Sequence, residues 1–286
     1  MPEICEVALT AEILHRKLKN KVLTSIKFFG DTYKYGPNGT KPEGYNLFVK
    51  SLPLKIKKVD SRGKFLWFEL TDDNITWYIW NTFNLKGGWS LEDDTHKRAQ
   101  FNFENDVVAY YYDTLGWGTF KFSKSQEDLR KQLELLSPDF LKDDNFDLSN
   151  ITKYKSKIVG VLMDQKKIGS GIGNYLVAEI LYHAKISPHR KCNTLTNDEI
   201  KQLTYSIKYI IKICYMYGGS KYMHKLEKEL NKLPRIDYHP NIKIKKSDQK
   251  FMFMVYNEKT DPLGNPVKEE KIVGKRTTYW VPNVQH

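Results

Sequence analysis

Between residues 22 and 113 the chain alternates apolar and polar positions with a period of two, and beyond residue 123 that period gives way to one near 3.6. This switch constrains the fold more than any other feature, because a segment patterned for a strand cannot bury one face as a helix. The short period runs through residues 22–29, 54–60, 64–70, 75–81, 99–104 and 106–113. These segments are rich in aromatic and β-branched residues and are separated by Gly, Asn and Asp turns, so they read as strands. Ahead of them, Val7, Ala11, Leu14 and Leu18 share one helical face. Residues 1–122 are therefore expected to form one β-rich domain with an N-terminal helix.

The polar stretch 123–135 reads as a linker, and residues 136–286 as a second domain of mainly helical pattern. Helix-period text occurs in LRKQLELL, KIVGVLMDQ, NYLVAEILYHA and residues 200–217. A Lys- and Gly-containing region, 218–250, follows. The end returns to strand text at 251–257 and, after a DPLGNP turn, in KIVGKRTTYWVP. No internal repeat is present. The fold class is α+β.

The chain carries 46 basic and 34 acidic residues, a formal net charge of +12. Such an excess favours a polyanionic partner, nucleic acid or an acidic membrane surface, although simple solubility also accounts for it. Cys5, Cys192 and Cys214 lack the spacing of a disulfide framework or a zinc site, so no metal or cofactor is expected. Glu3 and Glu6 stand where a signal peptide would need an apolar run. YSIKYIIKICYMY is interrupted by Lys208 and Lys212 and reads as an amphipathic helix, not a membrane span. The expectation is an intracellular, non-secreted protein with no membrane partner.

Six stretches could carry chemistry, each with a plainer alternative. MPEICEV places Pro2 beside Glu3. Either it is a helix start suited to the dipole, or removal of Met1 makes Pro2 a terminal secondary amine with a carboxylate next to it. GSGIG before Asn174 follows helix text, which argues against a dinucleotide-binding turn. Asn174 then either caps the second helix of a hairpin or offers a phosphate site at its N-terminus. Lys64, after Gly63, either faces a cleft or is an ordinary strand-end lysine. Leu85 and Trp117, in Gly-containing loops, are candidate wedges for a base stack or core residues of hairpins. Arg276, near Lys271 and Lys275, either meets a phosphate or belongs to a solvated charge run.

Taken together, and in this order, five elements resemble the formamidopyrimidine/endonuclease VIII family of DNA glycosylases. They are Pro2–Glu3 with Glu6, RGK at 62–64, LMDQ…GIGNYLVAEILYHAKISP, MVYN, and KRTTYWVP…Q. The resemblance implies a two-layered antiparallel β-sandwich, a helix-two-turn-helix domain and a C-terminal hairpin. It implies Pro2 as the nucleophile at C1′, Glu3 as its acid/base partner, Glu6 as support, and Lys64, Asn174 and Arg276 on phosphates around a flipped nucleotide, with Lys64 counted among the catalytic groups. Leu85 and Trp117 would fill the void.

The implied activity is removal of oxidised bases, pyrimidines and hydantoins, from damaged double- or single-stranded DNA, with strand cleavage by β,δ-elimination, by a monomer acting at DNA. A catalytically silent damaged-DNA-binding protein of the same fold is the alternative, and a ribosome- or RNA-associated module would leave Pro2 unexplained.

The chain departs from the family pattern at four places. Val281 and Val284 stand where zinc-bearing members place their last cysteine pair, which points to the zincless-finger subgroup, with the finger at about 251–286. Leu115 and Trp117 replace an Arg and a Phe directed at the opposite strand. Ile4 and Cys5 replace the usual residues after Glu3, and the hairpin before Asn174 is one residue longer.

Overall fold

The structure is a computed structural model that describes residues 1–30 and 41–286. The chain divides into two compact units. The first comprises Met1–Pro2, Glu6–Glu134 and Lys221–Pro234, and the second Glu3–Cys5, Leu135–Ser220 and Arg235–His286.

Helix α1 (Ile4–Leu18) is followed by β1 (Val22–Phe28), a short helix α2 (Tyr45–Val49), then β2 (Leu54–Arg62), β3 (Phe65–Thr71), β4 (Thr76–Thr82), β5 (Gly87–Ser90), β6 (Lys97–Phe103), β7 (Val108–Asp113) and β8 (Thr119–Ser123). The strands form one antiparallel sheet in the order β5-β7-β6-β1-β2-β3-β4-β8.

That sheet folds over into two layers. Phe68 on β3 lies 5.2 Å from Trp89 on β5 and 5.7 Å from Phe101 on β6, ring centre to ring centre. None of these strands are neighbours, so their rings meet across an interior, the face-to-face packing of a sandwich. Val7, Ala11, Leu14 and Leu18 of α1 join the same buried core. Strands β5 and β8 were not visible as strand text, being short and, for β5, opened by Gly87 and Gly88. Residues 126–134, within the stretch read as a linker, form α3 (Gln126–Glu134), where Arg130 pairs with Glu127 and Glu134 one turn apart.

In the second unit α4 (Ile158–Met163) and α5 (Asn174–Ala184) are joined by successive turns, and α6 (Asn197–Met216) follows behind a Thr196/Glu199 capping box. The short α7 (Glu227–Leu230) belongs to the first unit, and β9 (Lys268–Val273) with β10 (Arg276–Trp280) forms the terminal hairpin. Residues 251–257 are not a strand. The N–H groups of Met254, Val255 and Tyr256 all donate to the buried Glu179 carboxylate of α5, at 2.9, 3.1 and 2.9 Å. A side-chain acceptor thus takes the place of a neighbouring strand. Val281 is fully buried against Ala178 and Val255, with Val284 packed on them, so apolar contact holds this region. Among the described residues no helix is long and apolar enough to cross a membrane.

Candidate catalytic and nucleic-acid site

The first turn of an α-helix leaves N–H groups without partners. At α5 the cap position is Gly173, which has no side chain to offer. Glu3 supplies the acceptor instead. Its fully buried carboxylate takes the Gly173 N–H, the Tyr175 N–H at 3.0 Å and the Leu176 N–H at 3.4 Å. Three donors and the positive end of the helix dipole favour its ionised form. The sequence reading offered these N–H groups to a phosphate; they are held by Glu3. Asn174 is also not the cap. It is the first helical residue, and its Nδ2 donates to the Thr277 carbonyl at 2.8 Å, tying α5 to the hairpin beside Arg276. Arg276 is exposed at the start of β10, its guanidinium 3.9 Å from Met163 Sδ. Burial raises the Tyr256 phenol above its ordinary pKa, the Asn174 side chain opposes the shift, and the Glu3 charge adds to it.

Two residues with no role in the sequence reading shape this corner. Gln165 braces the turn: its amide nitrogen donates to the Met163 and Ile172 carbonyls at 2.8 and 3.0 Å, and its oxygen accepts the Gly171 N–H at 2.6 Å. Gly171 has φ +112°, and a Cβ there would fall 2.3 Å from Ile4. The Ile4 N–H donates to its carbonyl at 3.1 Å. The unusual Ile4–Cys5 pair is accordingly fully packed, with Cys5 Sγ 3.6 Å from the Ile211 carbonyl.

In the first unit Pro2 is buried and lines two cavities. One is a crevice of about 10 Å³, room for a single water, shared with Glu6, Thr10 and Trp89. The other is an open pocket of about 210 Å³, bordered by Lys86, His96, Tyr112, Thr114, His224 and Lys225. Gly88 lets Tyr112 close in, since a Cβ there would lie 2.5 Å from its hydroxyl. Burial pushes the Tyr112 phenol up to about 12. Lys225 pairs with the buried Asp94 and lies 4.5 Å from the centre of the Tyr112 ring.

Lys64 sits in the two-residue turn between β2 and β3, where Arg62 pairs with Phe65 and Gly63 takes φ +55°. It is half-buried and does not line either Pro2 cavity. Leu85 and Trp117 are 39% and 59% exposed, and Leu115 is 42% exposed, so none of the three is core. The Asn84 side chain donates to the Trp117 carbonyl, joining the two loops. Asp113, fully buried, accepts the N–H groups of Leu115 and Gly118 at 3.0 and 2.7 Å and fixes the second loop.

The structure thus brings Pro2 together with Glu6, and Leu85 with Trp117. In the other unit it brings Glu3 to the start of α5, and Asn174 to the hairpin that carries Arg276. Sequence reasoning missed Asp94, Tyr112, His224, Lys225 and Gln165. Only Gln165 carried a signal, as the last residue of the LMDQ element, though no role was assigned to it.

Three family models match the chain in order: the formamidopyrimidine-DNA glycosylase N-terminal domain over residues 1–120, its H2TH domain over 136–224 and its C-terminal domain over 240–286. That order of domains defines a DNA glycosylase of base excision repair. The chain belongs to the formamidopyrimidine-DNA glycosylase family.

Similar curated proteins include the formamidopyrimidine-DNA glycosylase of Prochlorococcus marinus, 28% identical over the whole of both chains. The enzyme of that name from Listeria monocytogenes is 28% identical, covering 81% of this chain and 82% of its own. Among solved structures, the Lactococcus lactis protein in complex with abasic-site DNA superposes with a TM-score of 0.77 at 22% identity, covering 99% of both chains. At that identity the superposition speaks to the fold.

Proposed function

We propose that this chain removes oxidised bases from damaged DNA and then cleaves the strand through a Schiff base on Pro2. One observation carries the reading: Glu3 is seated on the N-terminus of α5 while the preceding Pro2 faces an open pocket. A helix start alone would need neither.

The chemistry follows from the groups. After loss of Met1, Pro2 is a secondary amine with an ordinary pKa near 8, in part unprotonated at neutral pH. Its nitrogen lone pair attacks C1′, and the glycosidic bond breaks with its electrons going to the base. Glu3, as carboxylate, takes the proton from the new ammonium. The nitrogen lone pair then forms the C=N⁺ bond as the C1′–O4′ bond breaks, and O4′ receives the proton from Glu3. The iminium acidifies the C2′ proton, whose loss expels the 3′ phosphate; the conjugated iminium so formed acidifies the C4′ proton, and loss of that second proton expels the 5′ phosphate.

Lys64, Asn174 and Arg276 are assigned to phosphates flanking the flipped nucleotide, and Leu85 and Trp117 to the gap it leaves. Lesion-bearing and abasic DNA occupy the Lactococcus lactis structures, which supports the same partner here. The buried Val281, packed where a zinc ligand would stand, supports the zincless-finger subgroup and its preference for oxidised pyrimidines and hydantoins.

Borohydride trapping tests the reading. Purified protein is mixed with duplexes carrying an abasic site, thymine glycol or a hydantoin, beside Pro2→Gly and a form retaining Met1. A covalent adduct mapping to Pro2 and absent from both variants is expected. Intact binding with no adduct on any substrate would make this the silent DNA-binding relative.

A further inference from the structure

Lys225 lines both cavities that Pro2 lines. Its counterion does not. Asp94 borders a separate cavity of about 200 Å³, of which Lys225 forms part of the wall. The ammonium lies over the ring of Tyr112, a residue that lines both Pro2 cavities, whereas Asp94 lines neither. The pair is also fixed in place. Asp94 is buried and accepts the His96 N–H at 2.7 Å, and the ammonium lies over the Tyr112 ring. Desolvation lowers the Lys225 pKa from its ordinary value.

We infer that the Lys225–Asp94 pair is a positioning device that favours the unprotonated Pro2 nitrogen, by presenting a cation to the amine with its counterion turned away. This rests on the proposed Schiff-base reading. Among the described residues lining the two cavities, Glu6 in the crevice opposes the effect, Lys86 at the open pocket acts with Lys225, and His96 and His224 add to it only in their protonated forms. Tyr112 stays neutral over the working range because burial holds its phenol near 12. The charge of Glu3, next in the chain, is engaged by three backbone N–H groups.

A unit charge several ångströms from an amine, at the high effective dielectric of a site that opens to solvent, moves its pKa by about one unit. The test is the rate of borohydride-trapped adduct on an abasic duplex, measured from about pH 5 to about pH 10. Lys225→Met should raise the midpoint by about one unit and Lys225→Arg should restore it. Asp94→Asn, which removes the opposing charge, should lower it.

Opposite shifts from the two halves of one ion pair are what a purely structural contact would not produce. Midpoints that move together, or stay with wild type, overturn the inference while leaving the Schiff base intact. No wild-type adduct at any pH would instead overturn the underlying reading and this one with it.

Discussion

Glu3 and Gly173 lie 170 positions apart, and the N–H of one donates to the carboxylate of the other. With Tyr175 and Leu176 donating as well, the acid is held by three backbone N–H groups, which no rotamer change nearby can remove. Glu3→Gln keeps the shape and one acceptor oxygen but loses the charge. Excision of a lesion should fall by about a hundredfold or more, the usual range for a positioned acid/base. Adduct formation at a preformed abasic site should fall much less. Single-turnover kinetics on the two substrates measure the difference, and equal losses would count against a proton-shuttling Glu3.

Gly171 has a backbone that L side chains rarely adopt and no space for a Cβ beside Ile4. Gly171→Ala should destabilise the protein by about 2–4 kcal/mol, from strain and overpacking together. Chemical denaturation gives the value, and a change under about 0.5 kcal/mol, the scale of an ordinary surface substitution, would contradict the geometry.

Glu179 is held near 7 by burial, despite its three backbone donors. The unfolded carboxyl titrates near its ordinary value of 4.5, so between about 4.5 and 7 the folded state binds the extra proton. Stability from this group is thus greatest at low pH and declines as pH rises through that window, by about 3 kcal/mol in all. Glu179→Gln should flatten the loss. Urea midpoints at about pH 5 and pH 8 for both proteins decide it; parallel pH profiles would exclude the effect.

Trp117 and Leu85 are exposed, so their removal leaves the core alone. Trp117→Ala and Leu85→Ala should weaken binding to lesion-bearing duplex about tenfold each, on the scale of one base-stacking contact, with melting temperatures unchanged. Binding titrations and thermal melts report the two halves of this expectation.

On the proposed reading the loop carrying Leu115 faces the opposite strand, and Leu115 brings it no side-chain hydrogen-bond donor. Excision rates for one lesion placed opposite each of the four bases should therefore be similar. Strong selectivity would show that another group reads that base.

Legibility in the sequence tracked locality. The helix at Asn174 and the strands of the sandwich were readable because their patterns repeat within a few residues. Strands β5 and β8 are too short to establish a period. Residues 251–257 looked like a strand because their side chains are largely apolar, yet their N–H groups belong to Glu179, which no local pattern could reveal. The candidate site followed the same rule. Pro2, Glu3 and Asn174 stood out by motif, but the Glu3 cradle spans the chain, and Lys225 lies in a segment with neither helical nor strand period.

The first unit takes its pieces from Met1–Pro2, Glu6–Glu134 and Lys221–Pro234, and the second takes Glu3–Cys5 between them. Neither can be cut out as one continuous fragment. During synthesis Pro2 and Glu3 are made well before the helix start that receives Glu3 and the Lys225 segment that shares its cavities with Pro2. The surroundings of Pro2 and Glu3 thus stay unassembled until the segments around residues 173–176 and 225 exist, so a product terminated before them would carry both residues without the contacts that hold them.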